Sequence, residues 1–272
     1  MFSAIKRLFD GNKSFYYESG ALKQEVPISN GKINGTAKEY YESGKIKIEI
    51  PYIDGLKQGV KKEYYDHGGL KEEIPHVNDL GNGKAKYYYP SGKLQTEINY
   101  TDGLEEGVKK RYFENGKLQL EGKYESNKEI GLFNFYYESG ALEGKTVFIF
   151  GKKNGTCENY YESGEIKQET LYEDDIVKGA VRTYFESGGI MSEIPVTNGV
   201  LRTYYESGEK KAEMPIKNKK ANGITKCFFR NGGLKTETPC IDGKKQGVEK
   251  TYNEHGEQLS NTTYHQDEII LK

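Results

Sequence analysis

The stretch GTAKEYYESGKIKIEIPYIDG, residues 35–55, decides the fold because versions of it recur along the whole chain. The glycine that ends its YYESG motif, Gly44, has counterparts at intervals of 24 residues, apart from one interval of 20 residues between Gly188 and Gly208. A second glycine lies nine residues before each of them, as Gly35 does before Gly44. Eleven units that agree at two positions identify a repeat protein.

Each unit is predicted to be a β-hairpin. A pair such as Ser43-Gly44 separates two runs of alternating character, which favours a two-residue type I′ turn. Counting outward from this turn places Lys38 opposite Glu49, and Pro51, which lacks a ladder donor, predicts that the second strand ends or bends there. Opposite charges across the turn support the register in seven of the eleven units. These pairs are Lys38–Glu49, Lys62–Glu73, Lys86–Glu97, Lys110–Glu121, Arg182–Glu193, Arg202–Glu213 and Lys226–Glu237.

Alternation along the strands then assigns the two faces of the hairpin. Counting from a two-residue turn places Tyr41 opposite Ile46 and groups both with Ala37 and Ile50 on an apolar, aromatic face. Tyr40 and the charged pairs fall on the other face, which is predicted to be solvated. Of the 22 residues at the two YY positions, 21 are Tyr or Phe. We expect these rings to replace a conventional core and to stack along the sheet.

The unit resembles the MORN-repeat variant carried by the YwqK-type antitoxin family, which reads approximately as Gly, four residues, YYE, Asn or Ser, GK, Leu, and later NGK. The copies YYESGKIK at 40–47 and YFENGKLQ at 112–119 are similar to that pattern. The resemblance runs from Gly11 to about residue 264. It implies a long antiparallel sheet of stacked hairpins. The family label also implies binding and neutralisation of a toxic protein.

The predicted fold class is all-β, an elongated single-layer antiparallel sheet of about eleven stacked 24-residue hairpins. We expect one repeat domain over residues 11–264, with an N-terminal cap at 1–10 and a C-terminal cap or tail at 265–272 that adds an edge strand. The pattern is irregular at 120–150. At 188–208 it is shortened, and the tight connection there is expected to alter the twist or curvature of the sheet.

Composition limits the classes of function. With 35% hydrophobic and 30% charged residues, the chain suits an open sheet rather than a thick core. Forty basic and 41 acidic residues give a net charge of −1, so no basic field favours nucleic acid or an anionic membrane. Three cysteines without metal or redox spacing indicate a reducing compartment. Because no apolar run resembles a signal peptide or a membrane span, we expect a cytoplasmic protein.

No group of residues has the makeup of an active site. The four histidines have no partners at fixed spacing, so we expect no metal. The YYESG carboxylates repeat at about 10 Å and are identical, which gives no means of holding two different pKa values. The segments NGKING and DGLKQG lead into strands, whereas a phosphate-binding loop leads into a helix. The sequence therefore predicts no enzyme and no cofactor.

The sixth and seventh units depart from the pattern and supply a candidate binding site. Aromatic side chains replace polar ones in the sixth unit, where Phe135 is expected to face Gly144. The seventh unit places two glutamates opposite each other, a pair that a purely structural ladder avoids. The aromatic stripe formed by Phe133, Phe135 and Tyr137 is either a thickened local core or a docking surface. The candidate partner-binding residues are Phe133, Phe135, Tyr137, Phe148, Glu158 and Glu169.

The functional hypothesis is a non-catalytic scaffold that binds a protein and sequesters or inhibits it. The partner is expected to be an effector or toxin, with a nuclease among the possible targets. A structural or self-associating scaffold is the alternative, and a lipid-headgroup-binding module is less favoured because the lysines are paired with glutamates. Neither nucleic acid nor a membrane is expected as the partner.

Overall fold

Antiparallel β-strands make up the regular structure in a computed structural model that describes residues 10–270. No helix occurs in these residues, which confirms the all-β prediction. The chain divides into two units, residues 1–140 and 141–272, which are described one at a time. The predicted N-terminal cap at 1–10 falls outside the described residues except for Asp10, whose carboxylate accepts a hydrogen bond of 2.5 Å from the Asn30 amide.

The described part of the first unit holds five complete hairpins and the first strand of a sixth. Neighbouring long strands pair in chain order. The strands are β1 (Gly11–Tyr16), β2 (Leu22–Ser29), β3 (Lys32–Ile33), β4 (Gly35–Tyr40), β5 (Ile46–Ile53), β6 (Leu56–Lys57), β7 (Gly59–Tyr64), β8 (Leu70–Val77), β9 (Leu80–Gly81), β10 (Gly83–Tyr88), β11 (Leu94–Thr101), β12 (Leu104–Tyr112), β13 (Leu118–Glu125) and β14 (Lys128–Tyr136).

The described part of the second unit begins with the second strand of the sixth motif and continues through five complete hairpins. Its last short strand, β29, pairs with β28, which confirms the edge strand predicted in the C-terminal tail. The strands are β15 (Leu142–Ile149), β16 (Lys152–Lys153), β17 (Gly155–Tyr160), β18 (Ile166–Glu173), β19 (Ile176–Tyr184), β20 (Ile190–Pro195), β21 (Gly199–Tyr204), β22 (Lys210–Lys217), β23 (Lys220–Ala221), β24 (Gly223–Phe228), β25 (Leu234–Ile241), β26 (Lys244–Lys245), β27 (Gly247–Tyr252), β28 (Gln258–His265) and β29 (Glu268–Ile269).

The turn at the YYESG motif, here called the hairpin turn, has three loop residues rather than two. The Gly44 amide donates to the Tyr41 carbonyl at 2.9 Å, and the Tyr41 amide donates to the Lys45 carbonyl at 2.8 Å. Gly44 has a φ of 83°, whereas Ser43 has no positive φ. This is the geometry of a type I turn followed by a left-handed glycine. The prediction of a type I′ turn at Ser43-Gly44 is therefore wrong.

The register beyond the bulge that follows this turn is nevertheless the predicted one. Tyr40 pairs with Ile46, a bulge then takes up Lys47, and Lys38 pairs with Glu49. The extra residue in the loop is compensated by the extra residue in the bulge. All seven predicted charge pairs are cross-strand partners. Five of them also form ion pairs, with N–O distances from 3.1 to 3.7 Å.

Pairing defines a first face, which carries Ala37 and Ile50, and a second face, which carries Lys38 and Glu49. Ile46 was predicted on the first face, but it pairs with Tyr40 and so lies on the second. The bulge is the physical reason, because it reverses the alternation next to the turn. The first face supplies a thin core. Its buried apolar residues in the first unit are Val26, Ala37, Ala85, Ile98 and Phe133.

Tyrosine hydroxyls connect neighbouring hairpins. Tyr41 donates to the Tyr64 carbonyl at 2.7 Å, and Tyr40 donates to a Glu25 carboxylate oxygen at 2.9 Å. Equivalent bonds recur at intervals of 24 residues. Between Tyr17 and Phe113 the YY rings are joined through these hydroxyls and not ring on ring, so the expected stacking ladder is wrong there.

In six of the units a proline lies against the glycine that precedes the YYESG glycine by nine residues. Strand β5 continues past Pro51 to Ile53, so the predicted end of the strand is wrong in this hairpin. The Pro51 ring lies against Gly59 of the next hairpin, where a Cβ would come within 3.3 Å of it, and Gly59 has a φ of 112°. Positive φ and the close ring both favour glycine. In β20, by contrast, the strand does end at its proline, Pro195.

A second kind of turn, here called the connection turn, joins one hairpin to the next. At Asp54-Gly55 both residues have positive φ, 51° and 90°, and the flanking Ile53 and Leu56 are cross-strand partners. This is a two-residue type I′ turn, for which Asp-Gly is a strong signal. The turn type predicted for the YYESG motif therefore occurs at the other end of the hairpin.

Candidate functional site

Phe133, the first candidate residue, is a core residue of the first unit. Its side chain is 2% exposed and packs edge to face on Tyr124, with ring centroids 5.6 Å apart at 73°. Gly122 leaves room for the ring, since a Cβ at Gly122 would overlap it. An aromatic lying over a cross-strand glycine was predicted for Phe135, and the first unit shows one at Phe133. We therefore assign Phe133 a packing role, because a partner cannot touch it directly.

Phe135 and Tyr137 follow Phe133 on the first face of the first unit by alternation along β14. Phe135 is half-buried and pairs with Leu120 of β13. Tyr137 is half-buried at the start of a hairpin turn, where its carbonyl accepts a 2.9 Å hydrogen bond from the Gly140 amide. Both side chains are accessible in part.

The other three candidates lie in the second unit, on two different faces. Glu158 and Glu169 are cross-strand partners, as predicted. Phe148 alternates with the buried Thr146 on β15, whereas the neighbour of Thr146, Lys145, is the cross-strand partner of Glu158. Phe148 therefore lies on the first face and the two glutamates on the second. Within the second unit, the candidate aromatic residue and the two candidate acids therefore do not share a surface.

The like-charge pair is compensated by neighbours on its own face. Glu158 accepts a hydrogen bond from the Tyr160 hydroxyl and lies 3.9 Å from the Lys145 ammonium. Glu169 accepts a 2.5 Å hydrogen bond from the hydroxyl of Tyr184. Burial, followed by this bond, raises the pKa of Tyr184 to about 12. The two glutamates thus belong to the polar ladder of the second face.

Phe150 departs from the repeat pattern at the surface of the second unit, and the candidate set does not contain it. It is the first central residue of the connection turn Phe150-Gly151, with a φ of 49°, and it is 63% exposed. The equivalent residues of the other described type I′ connection turns are Asn, Asp, Ser or Gln. Aligning the repeats at this slot is the sequence signal that finds Phe150.

Two exposed isoleucines accompany Phe150. Ile149 precedes it and is 53% exposed, and Ile176, after the next connection turn, is 61% exposed. The two turns are held together, since the Lys153 amide donates to Asp175 Oδ1 at 2.8 Å and the Asp175 amide donates to the Lys153 carbonyl at 3.0 Å. Ile149, Phe150 and Ile176 are called the Phe150 cluster below.

A model of the MORN repeat variant family matches seven segments that together cover more than half of the chain. The chain belongs to the MORN repeat variant family. Each match holds one hairpin with its turn near the middle, and the three residues of the Phe150 cluster lie outside the matches. The matched segments are 9–30, 33–54, 57–78, 82–102, 105–126, 153–174 and 197–218.

Proteins with MORN repeats are repeat scaffolds, generally without catalysis, and scaffolds of this kind often bind proteins or lipids. No functionally curated protein matches the chain. In the described residues, no cluster of three or more His, Cys, Asp or Glu could hold a metal ion. No helix in that part of the chain is long and apolar enough to cross a membrane.

Solved structures that are similar to this MORN-repeat chain match it with low sequence identities and low TM-scores. The crystal structure of TcdB2-TccC3 is 13% identical, with 94% of this chain and 18% of that chain covered and a TM-score of 0.21. The chain thus spans about a fifth of the length of that structure. Virginiamycin B lyase from Staphylococcus aureus is 14% identical, with 88% and 90% covered and a TM-score of 0.18. At these scores the similarities support no inference about function.

Proposed function

We propose that this MORN-repeat scaffold binds a protein partner through its connection turns, and that the Phe150 cluster is one contact surface. The observation that carries the proposal is Phe150 itself, an exposed aromatic residue held at positive φ in a turn. A bulky residue with positive φ is a genuine outlier, and such outliers concentrate at functional sites. The fold does not require a Phe at this position of the turn, since the same position holds Asn, Asp, Ser or Gln in the other described type I′ connection turns.

The chemistry of the Phe150 cluster suits a protein partner. One aromatic and two aliphatic side chains are each more than half exposed at two neighbouring connection turns, and exposed apolar groups of this kind mark interaction sites. Aromatic residues are enriched at protein interfaces, where they fill pockets of the partner. The adjoining Lys152 and Asp174 would form a polar rim.

Two features argue against the other classes of ligand. The net charge of −1 offers no field for nucleic acid. Many lysines of the second face form ion pairs with glutamates, as Lys38 does with Glu49 at 3.7 Å, which leaves less charge for anionic lipid headgroups.

The class of partner follows from the resemblance to YwqK-type antitoxins. We propose that the partner is an effector or toxin that the scaffold sequesters in the cytoplasm, without catalysis and without a cofactor. Phe135, Tyr137, Phe148, Glu158 and Glu169 stay secondary candidates, with Phe133 supporting the first two from the core. Self-association is the rival function, in which the Phe150 cluster would contact a second copy of the chain.

The test is a Phe150→Asn variant, which places at this turn a residue that tolerates positive φ. Proteins retained from a lysate of the source cell are compared for the wild type, this variant and the control Gln266→Asn, which changes the same slot of another connection turn. A protein that the wild type and the control bind, that the variant loses, and that binds again when purified supports the proposal. Equal binding to all three, or capture of the chain itself alone, contradicts it.

A further inference from the structure

The shortened interval between Gly188 and Gly208 opens a groove in the second unit. Strand β20 has six residues where most second strands of a hairpin have eight, and no type I′ turn follows it. Three residues, 196–198, join β20 to β21, and the Val196 amide donates to the Gly179 carbonyl of β19 at 3.2 Å. The depression left beside this connection has a volume of about 400 Å³ and is open to solvent.

The groove is almost entirely aliphatic. Val181 and Ile194, cross-strand partners, line it on the first face, and Leu201 lies on the next strand, β21. Val196 and Ile216 add further aliphatic surface. The polar side chain among the lining residues is that of Lys219.

Lys219 is an unusual residue type for its position in the connection turn. It is the second central residue of the connection turn Asn218-Lys219, with a φ of 64°. The same position in the other described type I′ connection turns holds Gly, Asp or Asn, all of which tolerate positive φ better than Lys. In residues 10–270 Lys219 forms no ion pair, and the neighbouring Lys217 and Lys220 form none either. A lysine with positive φ and no ion-pair partner in residues 10–270 therefore lies at one side of an aliphatic groove.

We propose that the groove binds the C-terminal residue of a polypeptide, with a branched aliphatic side chain among Val181, Ile194 and Leu201 and the α-carboxylate on the Lys219 ammonium. Complementarity of charge carries the choice of a carboxylate, since Lys217, Lys219 and Lys220 form no ion pair in residues 10–270, and Asp242 of the neighbouring connection turn accepts a 3.3 Å hydrogen bond from Asn222. Capture of a C-terminal carboxylate is a recurring mode of peptide recognition. The proposal rests on the proposed function only in taking a polypeptide as the ligand.

The shape of the groove favours a side chain over a fatty acid. Small-molecule sites enclose most of their ligand, typically about 70–90% of its surface. A depression of about 400 Å³ that is open to solvent would leave one side of an acyl chain in water. A C-terminal Leu or Ile needs to bury only its own side chain.

The experiment is an NMR titration of ¹⁵N-labelled full-length protein with acetyl-Gly-Ser-Gly-Leu as the free acid, as the C-terminal amide, and with decanoate. We expect the acid to bind about tenfold more tightly than the amide, as for a hydrogen bond to a charged group. Shifts should be confined to residues around Val181, Ile194 and Leu201. Equal affinity for acid and amide, tighter binding of decanoate, or shifts elsewhere would each overturn the proposal.

Variants at the connection turns test the role of the Lys219 charge. Lys219→Gly should abolish the preference for the acid while keeping the fold, because glycine suits the positive φ of this turn. The matched control Asp175→Gly changes the same slot of another connection turn and should leave the preference intact. If Lys219→Gly keeps the tenfold preference, Lys219 is not the carboxylate ligand. The variant Phe150→Asn should bind the peptide normally, which separates this proposal from the proposed function.

Discussion

The hairpin turns and the connection turns lie at opposite ends of the same hairpins, and they differ in how much they vary. At the hairpin turns the left-handed residue is a glycine in every repeat, from Gly20 to Gly256. At the connection turns the two central residues range from Asn-Gly and Asp-Gly to Phe150-Gly151 and Asn218-Lys219. After β20 the two-residue turn is absent.

This difference separates the demands of folding from those of binding. A hairpin turn that repeats without change is explained by geometry alone, since a type I turn with a left-handed residue needs glycine in each copy. A connection turn that carries Phe or Lys at positive φ is not explained in this way. We infer that the hairpin turns serve folding, whereas the connection turns hold the contacts that distinguish this chain from a uniform repeat.

The largest loss of stability is expected where a left-handed glycine also packs on a proline. Gly83 has a φ of 113°, and a Cβ there would come within 3.3 Å of Pro75. Gly83→Ala should reduce the free energy of unfolding by about 2 to 3 kcal/mol through strain and crowding. Denaturant titration followed by circular dichroism measures it. The control Gly81→Ala, where φ is not positive and the nearest atom is 3.5 Å away, should cost clearly less.

A smaller loss is expected at a hairpin turn, where strain acts without crowding. Gly92 has a φ of 84°, and no atom lies within 4 Å of a Cβ built on it. Gly92→Val should lower the free energy of unfolding by about 1 to 2 kcal/mol. An unchanged denaturation midpoint would show that the hairpin turn does not need its glycine, which would undo the comparison.

The tyrosines beside the hairpin turns should ionise at a higher pH than free tyrosine. Burial, followed by the hydrogen bond to Glu73, raises the pKa of Tyr88 to about 12. Burial, followed by the hydrogen bond to Glu49, likewise raises the pKa of Tyr64 to about 12. Below pH 10 both folded and unfolded chains keep these hydroxyls protonated. Between pH 10 and 12 only the unfolded chain ionises them, so stability falls over that interval.

Absorbance at 295 nm should follow the same tyrosines directly. Native protein is expected to show a group of phenols that ionise near pH 12, and Tyr88→Phe should shrink that group by one. The same substitution should cost about 1 kcal/mol of stability at pH 7 through the lost hydrogen bond to Glu73. Ionisation of all tyrosines near pH 10 would contradict the hydroxyl–carboxylate contacts.

The sequence was sufficient for the repeat, the register and the all-β class, because two glycine spacings and the Lys38–Glu49 type of pair constrain them independently. It was not sufficient for the turn type. Ser43-Gly44 suits both a two-residue loop and a three-residue loop with a bulge, and the two give the same register beyond the bulge. The two loops differ only in the face on which the residues next to the turn lie. For this reason Ile46 was predicted on the first face but lies on the second.

The candidate site was harder to predict for a different reason. The sequence left open whether Phe133 belongs to a thickened local core or to a docking surface, and the space that Gly122 leaves on the neighbouring strand buries it. Glu158 and Phe148 are close in sequence, but alternation sends them to opposite faces. Phe150 was not predicted because alternation along the strands does not describe a connection turn, which is where this residue lies.

The most direct test of the central claim is the free energy of unfolding of the double variant Phe150→Asn, Lys219→Gly. Both changes install residues that suit positive φ, so the account predicts that stability rises by about 1 kcal/mol while contacts at the two connection turns are lost. A fall in stability by a similar amount would show that Phe150 and Lys219 serve folding, and it would contradict the division between hairpin turns and connection turns.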